Sequence, residues 1–187
     1  MTTRGPSKAA GRDDGVEEAL RAAIRDVPDF PTPGILFKDV TPVLADPHLF
    51  LATTRAMAEP FAGLGVTHVA GVESRGFIFG APVAQHLASA FVPVRKKGKL
   101  PARTVAVEYA LEYGVATLEL HADAFQQGAK VLLVDDVLAT GGTAAAACAL
   151  VERIGGTVVG CSFLVALSFL PGEKAMSGRR THSLVIY

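Results

Sequence analysis

Two adjacent carboxylates, Asp135 and Asp136, stand directly behind an apolar run in "KVLLVDDVLATGGTA", residues 130–144. A glycine pair, Gly141 and Gly142, follows between Thr140 and Thr143. Glycines let backbone N–H groups come close to a bound group, and a helix start adds further unpaired N–H donors. Together they make an anion site, to which the two threonine hydroxyls add donors. Carboxylates repel phosphate, so the acidic pair must face something else. Sugar hydroxyls, or a magnesium ion shared with them, are natural partners. A ligand with a ribose in its middle and a phosphate at its 5′ end meets both needs. The segment is not a Walker loop, because the GxxxxGK[ST] pattern is absent. An ordinary strand–turn–helix with Asp as N-cap is the competing reading, but two neighbouring carboxylates at a strand end are costly without a ligand.

Other residues could share that chemistry. "GVESRGFIFG" sets Ser74, Arg75 and Gly76 between an apolar strand and a helix, a second anion site with a guanidinium added. Arg95, Lys96, Lys97, Lys99 and Arg103 crowd residues 95–103. A solvated basic loop is the bland reading. A nucleic-acid patch is disfavoured, because no aromatic residues interleave with the charges.

The elements that must hold these groups alternate. "VEEALRAAIRDV" places Val16, Leu20, Ala23, Ile24 and Val27 on one helical face. The prolines of "PDFPTPGILFKDVTPVL" predict a shaped loop. Asp46-Pro47 opens a helix to about Leu64, with Asp as N-cap and Pro at the first position. "THVAGV" is a strand, "GFIFGAPVAQHLASA" a helix and "FVPVR" a strand. Two β-rich stretches flank Gly114, as a hairpin or flexible arm. "KVLLVDD" is a strand, residues 137–143 the turn after it, and "GTAAAACALVERIG" a helix stopped by Gly155-Gly156. "TVVGCSFLVALSFL" gives one or two strands and "HSLVIY" the last. Continuous apolar strands alternating with helices predict an α/β fold whose mostly parallel central sheet is flanked by helices. Ligands of such sheets bind beyond the carboxyl ends of the strands, where the acidic pair lies.

The bulk numbers narrow the class. At 187 residues and 50% hydrophobic, the chain can fill one real core. Its 18 basic and 18 acidic residues cancel, against a general nucleic-acid or membrane-surface binder. Cys148 and Cys161 sit in apolar runs without a CxxC and read as buried reduced thiols. Residues 1–15 are polar and small, a disordered tail without the apolar stretch of a secretory signal, so one domain spans residues 16–187. No run approaches the ~20 apolar residues of a membrane span. A cytoplasmic protein fits best.

The 130–144 segment resembles the phosphoribosyl-diphosphate (PRPP) motif of the type I phosphoribosyltransferases. The resemblance implies that Asp135 and Asp136 address the ribose hydroxyls and that Ala139, Thr140, Gly141, Gly142 and Thr143 hold the 5′-phosphate. It extends over residues 16–187, and "DFPTPGILFKDVTPVL" with "ALEYG" is similar to the adenine branch of the family. Phe37 would then stack on adenine, groups near Leu36 and Lys38 would read its polar edge, and Leu167 would pack on the opposite face. Many relatives carry Arg at Lys38 and an acid at Ala166. Ser74, Arg75, Arg95, Lys96 and Lys99 would grip pyrophosphate, with a cis peptide at Glu73–Ser74. Glu112 and Arg75 would be catalytic, Arg75 by offsetting the leaving charge, and Tyr113 would be the neighbour of Glu112 on a mobile lid. The family fold adds a small hood over the active site, built from the N-terminal segment and part of the C-terminal region.

The implied reaction is purine salvage: adenine and PRPP give AMP and pyrophosphate. The resemblance also implies Mg²⁺ bound mainly through PRPP, with Asp135 or Asp136 reached through water, and a homodimer. Two alternatives stay open. An oxo-purine enzyme for guanine or xanthine needs a side-chain donor at the 6-position, which "ILFKDV" supplies only if Lys38 turns inward. A non-enzymatic PRPP sensor on this fold would carry a nucleic-acid-binding part and lose lid residues.

Overall fold

The computed structural model describes residues 14–110 and 114–187. The predicted tail and the lid residues Glu112 and Tyr113 lie outside them, apart from the start of the first helix. The packing divides the chain after Ala52.

The first unit opens with α1, Asp14–Ala23, whose Leu20 is fully buried. Val27 does not extend that helix as predicted. It lies in β1, Arg25–Pro28, which pairs antiparallel with β2, Leu36–Asp39. Pro28 steers Val27 toward extended backbone, and the pairing with Phe37 takes it up. The predicted loop therefore holds only between the two strands. There Asp29 and Gly34 both have positive φ, and the Gly34 N–H donates to Asp29 Oδ1 at 2.7 Å. The short helix α2, Thr41–Ala45, follows with Pro42 in its first turn, where no N–H is needed.

Helix α3, Pro47–Ala58, starts as predicted: Asp46 Oδ1 accepts the N–H groups of His48 and Leu49 at 2.9 and 3.0 Å. It ends six residues before Leu64, because Pro60 cannot continue it, and Glu59–Phe61 turns into a 3₁₀ helix.

The second unit is built on β3 (His68–Val72), α4 (Arg75–His86), β4 (Ala90–Lys96), β5 (Thr104–Ala110), β6 (Val115–His121), β7 (Lys130–Leu138), α5 (Gly142–Arg153), β8 (Thr157–Ala166), α6 (Gly172–Ala175) and β9 (Thr181–Ile186). The strands form one seven-stranded sheet in the order β5-β6-β4-β3-β7-β8-β9. The run from β4 to β9 is parallel. The predicted hairpin β5–β6 is antiparallel and joins β4 through Arg95↔Glu119 and Lys96↔Leu118. Residues 131–134 of β7 and 161–165 of β8 are fully buried, which is why they read as continuous apolar runs. The long apolar run after Thr157 is a single strand.

Strand β7 runs through both carboxylates to Leu138, further than predicted, because pairing with β8 continues through Asp135↔Phe163 to Leu138↔Ala166. The turn before α5 shrinks to residues 139–141. From β3 the chain steps to β4 on one side; from β7 it steps to β8 and β9 on the other. The order reverses between β3 and β7, where open α/β sheets leave a ligand crevice.

Candidate active site

The turns after β3 and β7 both lead into helices with open N-termini. No side chain caps α4, whose N-cap is Ser74, or α5, whose N-cap is Gly141. The first N–H groups of each helix have no intrahelical acceptor, so both ends attract anions. Helix α3, by contrast, has its Asp46 cap. Gly141 takes φ +81°, and a Cβ there would come within 2.6 Å of Ala175 Cβ and 2.9 Å of the Gly172 carbonyl. Gly172 in turn has no room for a Cβ against the Ala139 carbonyl. The loop of residues 139–143 thus rests backbone-to-backbone on α6, an element the sequence reading missed. Ala139, Gly142 and Thr143 are partly exposed and Thr140 is exposed, so the loop's outer side remains reachable.

The acidic pair meets the other turn. Arg75 Nε lies 2.7 Å from Asp136 Oδ2, and the Asp136 N–H donates to Asp135 Oδ1 at 2.9 Å. Gly76 permits this closeness, since a Cβ would lie 2.8 Å from Asp135 Oδ1. Burial pushes the Asp135 carboxyl well above the usual carboxylate range, and the neighbouring charge of Asp136 adds to the rise. Burial raises Asp136 too, with the Arg75 guanidinium opposing it. The pair is poorly solvated as it stands and gains from hydroxyl donors.

The basic loop leaves β4 beside this turn. Arg95 forks onto Glu73, with Nε 3.1 Å from Oε2 and Nη2 3.3 Å from Oε1, and its Nη1 donates to the Lys99 carbonyl at 2.9 Å. Lys96 N–H donates to Glu73 Oε2 at 3.0 Å, and Gly98 N–H to the buried Glu119 at 2.9 Å. Burial works to raise Glu73, but the bonds from Arg95 and Lys96 and the charges of Arg95 and Lys99 outweigh it and hold the carboxyl below its ordinary value. Lys96, Lys97 and Lys99 are exposed. The Glu73–Ser74 peptide is cis, as predicted.

Tyr109, near the end of β5, brings the hairpin to the 139–143 loop: Thr143 Oγ1 and the Tyr109 hydroxyl are 3.3 Å apart. On the far side, Leu167 N–H donates to the Leu138 carbonyl at 3.0 Å, fixing the residue just past β8 to the end of β7.

The family model for the phosphoribosyl transferase domain matches residues 40–179, which spans both helix N-termini, the acidic pair and the basic loop. The adenine phosphoribosyltransferase of Methylococcus capsulatus is 53% identical over 170 residues, covering 91% of this chain and 99% of the relative. This chain belongs to the adenine phosphoribosyltransferases. A crystal structure of adenine phosphoribosyltransferase from Rhodothermus marinus superposes with a TM-score of 0.89 at 52% identity, covering 94% of this chain and all of that one. The enzyme from Saccharomyces cerevisiae, solved with adenine and an imino-altritol bisphosphate, gives 0.86 at 36% identity over 91% of this chain and 99% of that one. The mostly parallel sheet flanked by helices is the type I phosphoribosyltransferase architecture.

Among the sequence-predicted phosphoribosyltransferase residues, the second unit brings Arg75 onto Asp136 and sets Asp135 and residues 139–143 beside them. Arg95 points its fork at Glu73. The sequence points to Glu73 only as half of the expected cis peptide before Ser74-Arg75, and to Glu119 and Tyr109 not at all. In the first unit, Leu36, Phe37 and Lys38 share β2. Phe37 has Phe30 edge-on at 5.1 Å between centroids, and Phe30, Ile35 and Leu36 are exposed, an apolar platform only half-seen from sequence. Lys38 Nζ lies 2.6 Å from Asp26 Oδ1, its pairing partner across the hairpin, and the Lys38 side chain is only 9% exposed. Ala166 is buried in register with Ile186.

Proposed function

We propose that this chain transfers the 5-phosphoribosyl group of PRPP to adenine, giving AMP and pyrophosphate. The observation that carries the reading is the pairing of two uncapped helix N-termini with a desolvated acidic pair at one crevice. That arrangement suits a ribose flanked by phosphate groups. Asp135 and Asp136 accept hydrogen bonds from the ribose hydroxyls, and residues 139–143 hold the 5′-phosphate. Ser74 and Arg75, with Lys96 and Lys99, receive the pyrophosphate.

Phe37 stacks on adenine, and Leu36 and Lys38 offer their backbone groups to its edge; Leu167 is a further apolar contact for the base. The commitment of Lys38 to Asp26 favours an amino-purine over an oxo-purine. Glu112 handles the proton on the imidazole ring, with Tyr113 as its neighbour in sequence. Two adjacent carboxylates and no cluster of three or more metal-ligating side chains among the described residues suit a Mg²⁺ ion held mainly by PRPP oxygens, with Asp135 or Asp136 reached through water. Mg²⁺, when bound, offsets the charge that the leaving pyrophosphate gathers. The single functional domain spans residues 16–187. By family resemblance the enzyme is a homodimer in the cytoplasm. No described helix is long and apolar enough to cross a membrane, and the unbridged thiols of Cys148 and Cys161, 3.7 Å apart, accord with a reducing compartment.

The test is conversion of adenine to AMP with PRPP, with and without Mg²⁺. Formation of AMP that stops when the metal is chelated supports the reading. Turnover that survives complete chelation removes Mg²⁺ from it, and no turnover under any condition removes the activity.

A further inference from the structure

We infer that Glu73 is a positioning residue that presents the basic loop to pyrophosphate, and that Arg95 serves as its structural partner rather than as a direct ligand. The inference rests on the proposed PRPP reading and deepens it. Glu73 is the last residue before the Ser74-Arg75 turn, and its own N–H donates to the Val94 carbonyl at 2.9 Å. Its two carboxylate oxygens accept three bonds, two from the Arg95 fork and one from the Lys96 N–H. One side chain thereby ties the two anion-gripping segments together. Planar guanidinium on carboxylate is a bidentate geometry that fixes orientation as well as distance.

The rest of the loop is fixed in the same way. Arg95 Nη1 holds the Lys99 carbonyl, Glu119 holds the Gly98 N–H, and the Thr117 carbonyl accepts the Lys97 N–H at 3.2 Å. The backbone of residues 96–99 is thus pinned at four points, while Lys96, Lys97 and Lys99 are exposed. Charge supports the assignment. An acid at the pyrophosphate site would repel the ligand, but Arg95 neutralises Glu73 and leaves the attraction to Arg75 and the lysines. The fork that neutralises Glu73 is also the fork a direct ligand would need.

The test is calorimetric titration of wild type, Glu73→Gln and Arg95→Lys with Mg²⁺-PRPP and, separately, with AMP. PRPP carries the pyrophosphate and AMP does not. Both variants should weaken PRPP on the order of tenfold while AMP affinity stays within about twofold. The double variant should add little, since both changes break one unit. If Glu73→Gln tightens PRPP, Arg95 is a ligand that Glu73 restrains, and the inference fails. Unchanged PRPP affinity, or equal loss for PRPP and AMP, also overturns it. Failure of the underlying functional reading is separate: wild type would then bind no PRPP.

Discussion

The Arg75 guanidinium lies 2.7 Å from the Asp136 carboxylate, whose side chain is only 6% exposed. One ion pair thus joins the turn after β3 to the end of β7, the two sides of the crevice. Removing the arginine leaves a buried acid without its compensating charge. Because Arg75 itself is 39% exposed, solvent screens part of that loss.

Arg75→Ala should lower stability by about 1–3 kcal/mol. Adding Asp136→Asn should recover part of the loss, because the amide needs no counter-charge. Urea unfolding of both variants checks this. A double variant less stable than Arg75→Ala alone would contradict the pairing.

Asp135 gives a pH signature. Its carboxyl titrates well above the ordinary range when folded. Between the ordinary and the raised value the folded state binds more protons than the unfolded chain, so stability falls as pH rises through that window. Asp135→Asn removes this dependence. The variant should be more stable than wild type at pH 8 and lose that advantage near pH 4, while PRPP binding collapses. Urea midpoints at pH 4, 6 and 8 read it; parallel curves for the two proteins would refute the assignment.

Much of this site is legible in sequence because the residues are neighbours along the chain. The acidic pair, the glycine turn and the start of α5 occupy one continuous stretch, and the strand before it is apolar on both faces. What is not legible depends on distant partners. Nothing in "PGEKA" says that Gly172 will lie under Ala139, and nothing local pairs Glu73 with Arg95. Likewise the hairpin of β1 and β2 hides behind prolines that read as a loop, because its pairing joins residues on either side of them. The end of β7 was misplaced for the same reason: β8 sets it.

Gly172 offers a test of the support beneath the 139–143 loop. A methyl group there collides with the Ala139 carbonyl. Gly172→Ala should cost about 1–3 kcal/mol of stability. It should also raise KM for PRPP several-fold, with KM for adenine little changed. Steady-state kinetics with each substrate varied decides it; an equal rise in both KM values would contradict a local effect on the loop.

Lys38 should be dispensable as a base contact, because its ammonium is committed to Asp26. Lys38→Met should keep kcat/KM for adenine within about threefold, whereas Phe37→Ala should lose on the order of tenfold or more through the missing stacking area. A collapse in the Lys38 variant would show that its side chain reads the purine.

The most direct measurement is nucleotide formation from Mg²⁺-PRPP with adenine, hypoxanthine, guanine and xanthine in parallel, for wild type and Glu112→Ala. The account predicts turnover with adenine alone, falling by at least about a hundredfold in the variant. Turnover with an oxo-purine in place of adenine, or an undiminished rate without Glu112, would contradict it.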